Sequence, residues 1–167
     1  MGRLLCNEIT EIVMTPYYRK ACDADAHILA PKMRKQDVAE VKASSGLEPL
    51  EALLFSMQLS DEVYAIIAGD EEVIGLFGVT PTEDPIVGCP WLLASDRLPE
   101  VSKEFIPQSL EWVKGINKKY PILRNYVDAR NRLAMRWLSY LGFTFINLID
   151  EYGKGRIPFY EFVRIEA

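Results

Sequence analysis

Hydrophobic and polar positions change period several times along this chain, and each change marks an element. Residues 62–68 (EVYAIIA) and 73–79 (VIGLFGV) are apolar runs around Gly69-Asp70-Glu71-Glu72. Runs of that length around such a turn predict a β-hairpin. A third run, 89–94 (CPWLLA), predicts another strand. Over 100–119 the period becomes helical, with Val101, Phe105, Leu110, Trp112, Val113 and Ile116 on one face; Lys118, Lys119 and then Pro121 close it. ILRNYV at 122–127 returns to a strand. Asn131 caps a short predicted helix that Gly142 ends. FTFINLI (143–149) and IPFYEFVRI (157–165) predict an antiparallel pair across 150–156.

Upstream the pattern is weaker. Residues 11–17 (EIVMTPY) read as a first strand, and 18–30 as an irregular connection that places His27 on a loop. Pro31 opens a helical stretch that Gly46 stops, and Pro49 opens a second over 48–59. The order is β–α–α–β–β–β–α–β–α–β–β. The helix between 89–94 and 122–127 is a crossover, so those strands are expected to be parallel neighbours. The fold class is α/β: one domain over 1–167, with a mixed central sheet of about six to seven strands and helices on both faces. Trp137 and Phe143 are expected in its core.

Composition narrows the function classes. The chain has 167 residues and a net charge of −5, so a nucleic-acid partner is disfavoured. No apolar run reaches the roughly 20 residues of a membrane-spanning helix. Glu8 and Glu11 interrupt the stretch where a secretory signal would be most apolar. Three cysteines without a CxxC pair predict free thiols in a reducing compartment, and Cys89 reads as a small buried hydrophobe. A single histidine leaves little material for zinc sites or a serine–histidine–aspartate triad, and no metal is expected.

The element order, with Asn131, Ala134, Gly142 and Phe143 at their spacing, resembles the GCN5-related N-acetyltransferase (GNAT) fold. The segments DVAEVKASSGLEP, IGLFGV, GCPWLLASD and NYVDARNRLAMRWLSYLGF are similar to a family of bacteriophage GNAT-like proteins. That family includes the small internal virion protein of short-tailed coliphages. The resemblance implies a role in virion (internal core) assembly through contact with a phage or host protein, in the host cytoplasm or the virion. The alternative it implies is an active acetyl-CoA-dependent N-acetyltransferase.

Acetyl transfer needs a cradle of backbone N–H groups for the cofactor pyrophosphate, a proton acceptor for the amine, and an acid for the leaving thiolate. The resemblance places the pyrophosphate loop at ASDRLPEVSKEF, which contains no glycine. Arg97 and Lys103 offer positive charge there; Asp96, Glu100 and Glu104 oppose it, and Pro99 removes a donor. Ser95 or Asp96 is expected to cap the helix. The family's acidic tyrosine falls on Leu138, and Tyr140, two residues on, is the weak candidate. Leu92, Leu93 and Ala94 match the strand that receives pantetheine, and those two strands are expected to splay apart. Asn131 is either a pantetheine contact or simply a cap. Acetyl-CoA binding is therefore expected to be weak or absent. Arg124, Arg130, Arg132 and Arg136 form a basic patch suited to an acidic partner surface.

Overall fold

A computed structural model describes residues 15–166. Its elements are β1 (Tyr17–Lys20), α1 (Asp23–Leu29), a 3-10 turn (Ala30–Lys32), α2 (Lys35–Ser45), α3 (Pro49–Leu59), β2 (Glu62–Ile67), β3 (Val73–Pro81) and β4 (Val87–Ala94). After these come α4 (Leu98–Lys119), β5 (Ile122–Asp128), α5 (Arg132–Tyr140), β6 (Thr144–Tyr152) and β7 (Ile157–Ile165). The seven strands form one mixed sheet in the order β1-β2-β3-β4-β5-β7-β6. Among the described residues no helix is long and apolar enough to cross a membrane.

Alternation along the strands gives the sheet two covered faces. Ala65, Ile67, Val73 and Leu76 pack with Ala26 and Leu29 of α1, Val41 of α2 and Leu53 of α3. Ile66, Ile74, Phe77 and Ala94 point the other way, onto Leu98, Val101 and Phe105 of α4. Further along that second face, Val113 and Ile116 of α4 meet Leu123, Val127, Phe143 and Phe162. A bulge keeps these faces consistent: Ile66 pairs with Gly75 and Ile67 with Val73, which leaves Ile74 as the extra residue.

The expected hairpin, the crossover helix and the closing β6–β7 pair are all present. Gly46 ends α2 in the left-handed conformation (φ 75°), which a side chain disfavours. Three expectations change. Residues 11–14 of the first predicted strand lie outside the described residues, and β1 begins at Tyr17. The segment 18–30 is not irregular: it holds most of β1 and all of α1, so His27 is an exposed helical residue. Asp25 makes that short helix possible. It accepts the Cys22 backbone N–H at 2.8 Å and pairs with both terminal guanidinium nitrogens of Arg19 on β1. Finally, Phe143 is buried as expected but Trp137 is only half-buried.

Candidate functional site

β4 and β5 pair in parallel only at Val87–Ile122 and Gly88–Leu123, and then diverge. The reason is local. Pro90 has no N–H to give, and its carbonyl accepts the Asn125 side-chain amide at 2.9 Å, while the Asn125 Oδ1 takes the Tyr126 N–H. At the far end α2 occupies the strand edge. The Ala94 N–H donates to Asp37 Oδ2 at 2.9 Å, and the Ala94 carbonyl accepts the Arg34 N–H at 2.8 Å. On β5, the Asp128 N–H donates to Glu40 Oε1. Four backbone groups at this gap are thus bonded to the protein's own side chains, and the Ala94 carbonyl to a backbone N–H. Alternation along β4 leaves Leu92 as the residue between these anchors whose N–H and C=O face the gap.

A cavity of about 280 Å³ opens between the two strands. Trp91, Leu92 and Leu93 line it from β4, Asn125 and Tyr126 from β5, Trp112 from α4, and Ala134, Trp137 and Leu138 from α5. Ala94 is fully buried behind it. Cys89, beside the mouth of the splay, is only partly buried, and burial pushes its thiol pKa up.

Three carboxylates gather on the α2 side. Asp37 is ion-paired with buried Arg34, and Asp128 with Arg130, each at 2.7 Å. Among the described residues no cation pairs with Glu40; it accepts from the Asp128 N–H and from the Asn131 side-chain amide at 2.8 Å. Burial, and then the Asp37 and Asp128 charges, push its pKa up to about 7 against the lowering effect of those two bonds.

The N–H groups at the N-terminus of α4 are bonded within the protein. Its cap is Arg97, not Ser95 or Asp96. The Ser95 hydroxyl instead accepts the Arg97 N–H, the Ser95 carbonyl takes the Leu98 N–H, and the Arg97 carbonyl takes that of Glu100. Pro99 contributes none. The Arg97 guanidinium is held by Asp70, Glu72 and Glu100, and Glu72 also binds Lys32. A side chain expected to offer charge to a phosphate is enclosed by carboxylates.

Asn131 is buried and spends both ends of its side chain inside the protein: Oδ1 accepts the Ala134 N–H, and the amide donates to Glu40. Leu138 lines the cavity, whereas Tyr140 is 55% exposed on the opposite side of α5. The structure therefore brings Leu92, Leu93 and Asn131 to the cavity and leaves Arg97 and Tyr140 outside its lining.

No family model matches the sequence, and no curated protein matches it. Solved structures do match. A GCN5-related N-acetyltransferase from Kribbella flavida superposes with a TM-score of 0.67 at 18% identity, covering 91% of this chain and 98% of that one. A GNAT-family acetyltransferase from Bacillus anthracis gives 0.66 at 10% identity, over 92% and 96%. Spermidine N-acetyltransferase from Vibrio cholerae, solved with CoA and spermine, gives 0.66 at 12%, over 90% and 95%. The fold is the GNAT fold. The mixed sheet, expected with about six to seven strands, has seven, and the parallel β4 and β5 splay apart as expected.

Several residues of this GNAT-fold site gave no local signal. Glu40, Asp37 and Arg34 sit on a helix whose polar face reads as solvated. Only the contacts of Glu40 with Asp128 and Asn131, 88 and 91 residues away, set it apart. Trp112 and Trp137 were legible as apolar helix positions, but not as cavity walls.

Proposed function

We propose that this chain acts by contact with a phage or host protein in the assembly of a bacteriophage virion at its internal core, and that its acetyl-CoA site binds the cofactor weakly or not at all. The N-terminus of α4 carries this reading: the donors of residues 97, 98 and 100 are already bonded, residue 99 has none, and Arg97 is enclosed by Asp70, Glu72 and Glu100. The phage role rests on the sequence resemblance. A contact face of suitable chemistry supports it. Leu133, Arg136 and Tyr140 share one face of α5, with Arg132 beside them, and all are exposed. Tyr and Arg are the residue types that carry most binding energy at interfaces.

Two measurements test this. Acetyl-CoA at 100 times its dissociation constant would stabilise a binding protein by about 2.7 kcal/mol; at millimolar acetyl-CoA the expected melting temperature is unchanged. Arg136→Glu with Tyr140→Ala is expected to lower the yield of infectious particles without lowering the melting temperature. A normal yield would remove this face from the account.

One observation favours the second reading, an active N-acetyltransferase. Glu40, with a pKa of about 7, lies at the cavity and could accept the proton as an amine attacks the acetyl carbonyl and the thiolate leaves. Acetylated product from a panel of amines, lost in Glu40→Gln, would establish that reading in place of the first.

A further inference from the structure

Neighbouring residues of a strand point to opposite faces. Trp91 and Leu92 of β4 both line the cavity, as do Tyr126 and Val127 of β5, so it reaches both faces of the sheet through the splay. Its two ends differ in chemistry. Toward α4 and α5 the wall is a run of rings: Trp112 packs edge-on to Phe77 at 4.9 Å, Phe77 to Phe105 at 5.5 Å, and Phe105 to Trp137 at 5.8 Å, and all four line the cavity. Toward α2 stand Arg34, Asp37 and Glu40.

The Glu40 carboxylate is held in the gap itself. The Ala129 N–H donates to Pro158 of β7, so the preceding Asp128 N–H faces away from β7, and that is the donor Glu40 Oε1 accepts. Its second oxygen accepts the Asn131 amide at 2.8 Å. A carboxylate accepts up to about four hydrogen bonds, so these two leave capacity for a ligand. Arg34 is the only cation lining the cavity among the described residues, and it is paired with Asp37; Asp128 is paired with Arg130. With Glu40 ionised the cavity therefore carries one uncompensated negative charge. An anion would be repelled, and an uncharged molecule would leave that charge desolvated without a partner. Trp91 and Tyr126, on the same side, are rings of the kind that attract an ammonium head. The volume, about 280 Å³, equals roughly nine waters at ~30 Å³ each, room for a ligand of about ten non-hydrogen atoms.

We propose that the cavity through the β4–β5 splay binds an organic cation with an apolar tail, its ammonium head against the Glu40 carboxylate and its tail among Phe77, Phe105, Trp112 and Trp137. The head supplies the charge that Glu40 lacks. The tail displaces water from rings that gain nothing by hydration.

Hexyltrimethylammonium is the probe. Its nitrogen is permanently charged and has no lone pair to acetylate, so its binding reads this site apart from any acetyl transfer. It is titrated into the full chain by tryptophan fluorescence, since Trp91, Trp112 and Trp137 all line the cavity. The expected result is saturable binding, with hexan-1-ol and hexanoate at least tenfold weaker. Affinity should rise roughly two- to fourfold per methylene from ethyl- to hexyltrimethylammonium. The probe does not titrate, so any pH dependence belongs to the protein. The charged and titratable groups around Glu40 are Arg34, Asp37, Asp128, Arg130 and Tyr152. Glu40 itself, with a pKa of about 7, gains its charge between pH 6 and 8, and affinity should rise roughly five- to tenfold over that interval. Glu40→Gln is expected to weaken the cation at least tenfold, abolish the pH dependence and leave hexan-1-ol unchanged. Absence of saturable binding, equal binding of the three six-carbon probes, affinity flat with pH, or wild-type affinity in Glu40→Gln overturns the proposal. Should Glu40→Gln fail to fold, the wild-type pH series decides alone. Acetyl-CoA is titrated in parallel. Micromolar acetyl-CoA binding beside the expected ammonium results would overturn the reading of the α4 terminus and leave this one standing; binding of neither would do the reverse.

Discussion

Glu40 and Asn131 form the joint on which the site turns. The carboxylate takes donors from the β5 backbone and from Asn131, and Asn131 in turn caps α5. In the unfolded chain Glu40 loses its proton near 4.5, and in the folded chain near 7. Between those values folding takes up a proton, so this group's contribution to stability falls as pH rises from 4.5 to 7 and is level beyond. Asp70 and Glu72 act in the opposite sense: Arg97 on the first, and Lys32 then Arg97 on the second, hold their pKa values down. Their contribution is lost only as pH falls through those lowered values, below this window. The melting temperature of the wild type relative to Glu40→Gln is expected to fall between pH 5 and 8. A difference constant over that range would mean Glu40 titrates normally. Asn131→Ala removes the cap and the bond to Glu40 together, and a cost of about 2 kcal/mol is expected in urea unfolding. Asn131→Asp keeps a cap but sets a second charge against Glu40, so its cost should be larger at pH 8 than at pH 5.

Among elements, β4 carries the most consequence. Gly88 stands in the last parallel pair before the splay, and a Cβ there would lie 2.8 Å from the Tyr120 ring and 2.9 Å from Val79. Gly88→Ala is expected to cost about 1–3 kcal/mol through overpacking, measured by denaturant unfolding; a neutral effect would show that Tyr120 can move aside. The legibility of the sequence follows the same physics. The β4–α4–β5 crossover was readable because long apolar periods and flanking prolines act locally, and the α5 cap because Asn131 is a local signal. α1 was missed because its buried apolar contribution is only Ala26 and Leu29, and its stabiliser, Asp25, works through Arg19 on β1. The cap of α4, expected at Ser95 or Asp96, falls on Arg97 because Ser95 accepts the Arg97 N–H from outside the helix rather than as its cap.

At the scale of the whole molecule, a GNAT-fold sheet with its splay and cavity stands beside an α4 terminus whose N–H groups at residues 97, 98 and 100 are bonded within the protein. Fold and chemistry are separable: packing positions such as Leu123, Val127 and Phe143 hold the sheet together whether or not a cofactor binds. The sequence showed the missing glycines and the leucine at 138. It could not show that the remaining donors of the α4 terminus are bonded internally, because that depends on where Ser95 and Arg97 come to rest. Isothermal titration of the protein with acetyl-CoA to millimolar concentration tests the central claim most directly. The account predicts no saturable heat, in the wild type and in Asn131→Ala alike. Micromolar affinity that is lost in Arg97→Ala and Asn131→Ala would contradict it, because those side chains would then be gripping the cofactor rather than the protein.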